Sequence, residues 1–201
     1  MTGYVLAINP SVPPLGSHDG SAVLFRRGEI VFGIEEERLT RQKHAPETFP
    51  ARSIRACLDA EGIELSDVET VVIPWDPDLF RKSLVGNLQR VTSTPRSLGE
   101  KLRVAGWGIK CSLGPSVAST NAIRDRLEEL GDGVPPIETH PHHRSHAASA
   151  FHPSPFDRAL VLTIDGRGEH DATNVWEGTR SGIRKVRTYE FPNSWGFLYA
   201  A

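Results

Sequence analysis

The sequence predicts an α/β fold in which a βββαβα unit begins twice. Three short apolar segments separated by turn residues lie within residues 4–34 and predict an antiparallel meander. A second set of three lies within residues 158–191 and predicts the same arrangement, which indicates an internal repeat. The sequence ends soon after this second set, so we expect the second unit to be truncated.

The first unit follows from apolar patterning and from turn signals in chain order. The loop Asn9–Gly20 is rich in Pro, Gly and Ser and is unusually long between two strands, which is typical of a ligand-binding loop. An amphipathic helix is predicted with Pro50 in its first turn and Gly62 as its stop. The predicted elements are strands Tyr4–Ile8, Ser21–Phe25 and Glu29–Ile34, helix Phe49–Glu61 and strand Val68–Pro74.

Two segments of this first part leave alternatives open. The charged segment Glu35–His44 is either a solvated face or part of a site. Helices are predicted at Asp78–Val91 and Ser116–Leu130, and a short strand at Pro135–Glu138. The basic stretch between the two helices is either a solvated surface or a patch that faces an anion.

Four of the eight histidines lie within residues 140–146. Pro141 suits the first turn of a helix, and the following residues continue that helix until two prolines stop it. His142 and His146 are then four residues apart, so their rings project from one face and form a two-imidazole metal clamp. His143 points elsewhere. The alternative is a histidine-rich loop without a ligand.

The segment after this helix, residues 158–164, predicts a buried strand that ends at Asp165-Gly166. A carboxylate at the end of a strand is where α/β folds place their chemistry, but an aspartate before glycine is also a common turn former. Two further strands, Ala172–Glu177 and Ile183–Phe191, complete the second meander, and the last residues predict the start of a helix.

Composition restricts the classes of function. Charged residues make up 24% of the 201 residues and the formal net charge is −2, which argues against nucleic-acid binding driven by bulk charge. Cys57 and Cys111 are far apart, which suits a reducing cytoplasm. We see no signal peptide and no apolar run of about 20 residues that would span a membrane, so we expect a cytoplasmic protein.

Three segments carry a resemblance to one enzyme family. HDGSAVLFRRGEIVFGIEEERLTRQKH, HHRSHAASAFHPSPFDRALVLTIDGRGE and NSWGFLYAA resemble, in this order, signatures of the O-carbamoyltransferases of antibiotic and nodulation-factor biosynthesis. Together they cover Met1 to about Ile73 and about Glu138 to Ala201. The middle of the chain matches no pattern of the family.

The resemblance implies a fold and an activity. The fold is an actin-like, duplicated ribonuclease-H-like domain related to the tRNA threonylcarbamoyl-transfer enzymes. We expect a first subdomain at residues 1–157, including the histidine helix, and the start of a second at 158–201. Members of the family are longer, and a second domain makes carbamoyl-adenylate from carbamoyl phosphate and ATP. The actin-like domain passes the carbamoyl group to a hydroxyl of a small-molecule acceptor.

The resemblance also implies roles for five residues. His142 and His146 match ligands of a catalytic divalent metal, expected to be iron, and Asp165 matches an aspartate near the adenylate and the metal. His18 matches the histidine proposed as general base, and Lys43 matches a lysine that contacts carbamoyl-adenylate. The family's remaining metal ligand is an aspartate from a later part that this sequence lacks.

Two other interpretations stay open at this point. One is a different enzyme on the same scaffold, such as a tRNA threonylcarbamoyl-transfer or sugar-kinase relative. The other is an inactive metal-binding fragment, because the activating domain and half of the cleft are absent from residues 1–201. We expect weak or no catalysis from these residues alone.

Overall fold

The computed structural model describes residues 3–11, 18–77, 79, 97–102, 106, 120–190 and 193–199. These residues fall into two compact units, one from 3–77 and 120–139 and the other from 79–106 and 140–199. Both units combine helices and strands, which confirms the predicted α/β class. Apart from Leu79, the predicted helix Asp78–Val91 lies outside the described residues, as does most of the basic stretch.

The first unit is built on a five-stranded sheet of order β3-β2-β1-β4-β5. β1 to β3 are antiparallel, with a tight turn at Arg27-Gly28 where both residues have positive φ, and this confirms the first predicted meander. β4 pairs in parallel with β1, and β5 pairs in parallel with β4. The strands are β1 Tyr4–Asn9, β2 Ser21–Arg26, β3 Glu29–Glu35, β4 Val68–Ile73 and β5 Ile137–Thr139.

Three helices accompany this sheet: α1 Glu36–Thr40, α2 Ala51–Glu61 and α3 Thr120–Glu128. α2 begins after Pro50, ends at the left-handed Gly62 and packs on β2 and β3 through an apolar stripe. α3 buries Ile123 and Leu127. α2 begins two residues later than predicted and α3 ends two residues earlier, because a predicted helix boundary depends on capping contacts that periodicity does not reveal.

The second unit contains α4 His142–Phe151, β6 Arg158–Ile164, β7 Asp171–Thr179, β8 Gly182–Glu190 and α5 Trp195–Tyr199. β6, β7 and β8 form the second antiparallel meander, in that order. α4 packs against β6 and β7. The core of the second unit contains Ala147, Phe151, Val161 and Trp176.

The prediction that residues 158–164 form a buried strand is wrong for one face of β6 within the described part of the chain. Val161 and Thr163 are buried under α4, but Leu160, Leu162 and Ile164 are 75%, 58% and 48% exposed. Side chains alternate between the two faces of a strand. An apolar run therefore indicates that the side chains on both faces of the strand are suited to burial. It does not reveal whether another helix or strand packs on each face.

The histidine helix α4 packs with the later strands, whereas the predicted subdomain boundary after residue 157 places it with the earlier ones. That division of the chain, like the βββαβα repeat with a truncated second copy, stays a prediction. Among the helices that the structure describes, none has the length and apolar character needed to cross a membrane.

Candidate functional site

The first turn of α4 is fixed by a buried carboxylate. Pro141 has an extended ψ of 134° and ends the preceding segment, and the helix begins at His142. The backbone N–H of His142 donates to both carboxylate oxygens of Glu169, at 2.9 and 3.2 Å. The first N–H groups of a helix lack partners within the helix, and a negative charge there is stabilising. Glu169, which is 3% exposed, thus holds the backbone of the first predicted ligand.

His142 and His146 project from the same face of α4. Their ring centroids are 4.4 Å apart, and their Nε2 atoms are 3.0 Å apart. The geometric part of the sequence prediction is therefore confirmed. His142 is mostly buried and His146 is about half exposed, so the pair is open to solvent on one side.

Asp165 meets this pair from the end of β6. Its Oδ2 lies 2.6 Å from His142 Nε2 and 3.6 Å from His146 Nε2. Its Oδ1 accepts the backbone N–H of Gly166 at 2.6 Å. One oxygen therefore stabilises the turn and the other faces the imidazoles, and the functional role of Asp165 stays a prediction.

The carboxyl group of Asp165 is ionised at neutral pH. Burial by itself raises its pKa, but hydrogen bonds from His142 and His146 outweigh that effect and the net pKa is well below the usual value. The negative charge is thus directed at the two ring nitrogens.

Nε2 of His142 lies close to two polar atoms at once, Oδ2 of Asp165 and Nε2 of His146. A ring nitrogen either donates or accepts a hydrogen bond. If Nε2 of His142 donates to Asp165, it has no lone pair left for His146. Ligand atoms bonded at about 2.1 Å to one ion lie about 3.0–3.4 Å apart, and the three separations here, 2.6, 3.0 and 3.6 Å, bracket that range. Two imidazoles and one carboxylate can therefore hold a divalent metal.

His143 is buried in the core, and its ring centroid lies 5.7 Å from that of His142 and 6.4 Å from that of His146. Its Nδ1 is 2.9 Å from Thr163 Oγ1 and its Nε2 is 3.2 Å from the carbonyl oxygen of Asp171. Burial, together with the neighbouring His142, lowers its pKa to about 4, so it is neutral. We interpret His143 as a structural residue.

A second cluster of titratable side chains lies in the first unit. Asp19 Oδ2 is 2.5 Å from His18 Nδ1, and Asp19 Oδ1 is 2.9 Å from His44 Nδ1. Glu37 accepts the backbone N–H of His44 at 2.7 Å. The five residues predicted for the site therefore fall in two groups. His142, His146 and Asp165 lie together in the second unit, whereas His18 and Lys43 belong to the first.

Sequence reasoning missed four residues in or beside these two clusters, namely Asp19, Glu37, His44 and Glu169. Asp19 follows His18 directly and His44 follows Lys43, so both stood inside the segments that carried the resemblance. Their adjacency to a predicted site residue was the available signal. Glu169 is the last residue of the second of these segments, but it is adjacent to no predicted site residue and its partner is 27 residues away.

The sequence model for the family described as "Carbamoyltransferase N-terminus" matches residues 15–201. This chain belongs to the carbamoyltransferase family. The nodulation protein NolNO of Sinorhizobium fredii is 32% identical over 190 residues, which cover 94% of this carbamoyltransferase chain and 25% of NolNO. An uncharacterized protein of Synechocystis sp. is 37% identical over 194 residues, which cover 92% of this chain and 29% of that protein.

The carbamoyltransferase chain spans about a quarter of the length of these curated relatives. Among solved structures, YeaZ from Pseudomonas aeruginosa aligns with a TM-score of 0.46 and 14% identity, over 94% of this chain and 67% of YeaZ.

Proposed function

We propose that this chain forms the N-terminal part of an O-carbamoyltransferase. The carbamoyl group would come from carbamoyl-adenylate, made from carbamoyl phosphate and ATP, and would pass to a hydroxyl of a small-molecule acceptor. One observation carries the proposal: in a chain of the carbamoyltransferase family, His142, His146 and Asp165 direct three ligand atoms at one point.

His142 and His146 hold a divalent metal in this proposal, and Asp165 completes the ligands from this chain. The resemblance implies iron, and two imidazoles with a carboxylate are a known ligand set for Fe(II). When bound, the ion supplies Lewis-acid polarisation of a carbonyl or phosphoryl oxygen. Glu169 fixes the helix that carries both histidines, as an outer-shell group does in many metal sites.

His18 acts as general base toward the acceptor. A hydroxyl is a poor nucleophile until its proton is removed, and imidazole titrates near neutral pH. His18 Nε2 takes the hydroxyl proton as the oxygen forms a bond to the carbamoyl carbon. The bond from that carbon to the phosphate oxygen then breaks, and AMP leaves with the bonding electron pair. The exposed Lys43 provides a cation for the phosphate.

The activity is tested with the full gene product, incubated with carbamoyl phosphate, ATP and a panel of hydroxyl compounds. We expect AMP release that depends on the acceptor, and a carbamoylated acceptor identified by mass spectrometry. Unfractionated tRNA serves as the competing substrate. Modification of tRNA without carbamoylation of any small hydroxyl compound would contradict the proposal and favour the threonylcarbamoyl-transfer alternative.

The metal is tested separately from activity. The bound metal is measured by elemental analysis after purification of the wild type and of the variants His142→Ala and His146→Ala. We expect each variant to lose the metal, whereas His152→Ala, an exposed histidine at the end of the same helix, retains it. Equal metal content in all four proteins would refute the ligand assignment.

The base is tested by His18→Ala. General base catalysis contributes roughly 10²–10⁴-fold. We expect the rate of carbamoyl transfer to fall within that range while the metal content is unchanged. A fall of less than about tenfold would exclude His18 as the base.

A further inference from the structure

One carboxylate in the first unit joins two imidazoles. Asp19 approaches Nδ1 of His18 with one oxygen, at 2.5 Å, and Nδ1 of His44 with the other, at 2.9 Å. We propose that Asp19 is a positioning residue for carbamoyl transfer, which fixes the tautomer of His18 and stabilises the imidazolium formed when His18 takes the acceptor's proton. This inference rests on the proposed base role of His18.

The hydrogen-bond chemistry of Asp19 determines the tautomer. An ionised carboxylate can only accept hydrogen bonds, so Nδ1 of each histidine must carry the proton. Hydrogen bonds from His44 and His18 lower the pKa of Asp19, which keeps it ionised at neutral pH. Nε2 of His18 then carries no proton and keeps its lone pair. A general base needs such a nitrogen to accept the proton of the hydroxyl.

The backbone holds the carboxylate of Asp19 in place. The backbone carbonyl oxygen of Asp19 accepts a hydrogen bond from Asn9 Nδ2 at 2.9 Å, and the backbone N–H of Asp19 donates to the backbone carbonyl of His44 at 2.7 Å. Its φ of 59° is left-handed, a conformation that Asp and Asn adopt more readily than most residues. The carboxylate is therefore positioned from both sides of the chain, by β1 and by the segment that follows α1.

His44 keeps the second oxygen of Asp19 occupied. The rings of His18 and His44 are 6.2 Å apart and meet edge to face. With a donor on each oxygen, the carboxylate cannot rotate away from His18 without losing a hydrogen bond. Glu37 is the next charged group around this pair, and it holds the backbone N–H of His44.

The test uses Asp19→Asn in the full gene product, because asparagine tolerates the left-handed backbone and keeps the shape of the side chain. Its NH₂ group cannot accept from Nδ1, so the wrong tautomer of His18 becomes available. We expect the transfer rate to fall by about 10²–10⁴-fold, as for other aspartates that orient a catalytic histidine. The acidic limb of the pH–rate profile should move to lower pH, because the protonated His18 loses its neighbouring charge.

Two further measurements separate positioning from structure. Asp59→Asn, on the exposed face of α2, is the matched control and should leave both the rate and the profile unchanged. In a His18→Ala background, Asp19→Asn should cause no additional loss, because it acts only through His18. An additional loss of tenfold or more, or an unmoved pH limb, would overturn the inference.

The outcomes distinguish this inference from the proposed function. If His18→Ala loses 10²-fold or more while Asp19→Asn retains the wild-type rate, the base role stands and the positioning role fails. If Asp19→Asn does not fold, ¹⁵N-histidine NMR of the unmodified protein decides, with the signal of His18 assigned from a His18→Asn difference spectrum. A neutral His18 protonated at Nδ1 supports the inference, and protonation at Nε2 overturns it.

Discussion

Replacing Glu36 by glutamine removes a buried charge at the start of α2. The side chain of Glu36 is 2% exposed, and its Oε2 accepts from the backbone N–H of Ser53 at 2.8 Å and from the Ser53 hydroxyl at 2.7 Å. Its Oε1 lies 3.4 Å from the backbone nitrogen of Arg52. The carboxylate thus satisfies the first N–H groups of the helix from a different segment of the chain.

The expected cost follows from these contacts. Glutamine keeps the volume of the side chain but has one acceptor oxygen, and its NH₂ group faces a donor. Hydrogen bonds to a charged group contribute about 1.5–3 kcal/mol, against about 1 kcal/mol for neutral ones. A charge at a helix N-terminus contributes a further 0.3–1 kcal/mol, roughly. We expect Glu36→Gln to lower the free energy of opening of α2 by about 2–4 kcal/mol.

Hydrogen exchange measured by mass spectrometry can detect the easier opening of α2 separately from changes in the second unit. Amides of α2 should exchange faster in Glu36→Gln, whereas those of β7 should not change. The backbone N–H of Glu36 also donates to the carbonyl of Gly20, so we expect faster exchange near Asp19. Glu35→Gln is the matched control: its side chain is half exposed, and its ion pair with Arg38 contributes less than about 1 kcal/mol. Equal protection of α2 in the two variants would refute the reasoning.

Three further predictions concern other parts of the chain. At the proposed metal site, Glu169→Gln should weaken metal binding about 10–100-fold in a chelator competition, because the first turn of α4 loses its carboxylate cap. Gly168→Ala should destabilise the second unit by about 1–3 kcal/mol in a thermal melt, since a Cβ there would lie 2.7 Å from His143 Cδ2; the same change at Gly99, where nothing is within 4 Å, is the control. Burial raises the pKa of the Cys57 thiol to about 11, so in a variant whose other cysteine is serine it should react with a thiol reagent at pH 8 only after denaturation.

The local parts of the fold were predictable from the sequence. Both meanders, the helix after Pro50 and the helix after Pro141 lie close to their predicted positions. Apolar alternation reports the period of a strand, and proline and glycine report where a helix can begin or end. These signals act over a few residues, and neither register nor long-range contacts alter them.

The candidate site was only partly predictable. The four-residue spacing of His142 and His146 places both rings on one face of a helix regardless of what surrounds it. The charged segment Glu35–His44 was left open between a solvated face and a site, and the structure divides it. Glu36 is buried as the cap of α2, while Glu37 and His44 join the cluster around Asp19.

The sequence by itself determined the periodic elements, the histidine spacing and the membership of the family. Only the tertiary structure decided which distant groups meet: Asp165 reaches His142 across 23 residues, and Asp19 reaches His44 across 25. It also decided that one face of β6 is exposed. The physical reason is that backbone periodicity is fixed by neighbouring residues, whereas such contacts depend on how strands pair and where the chain returns.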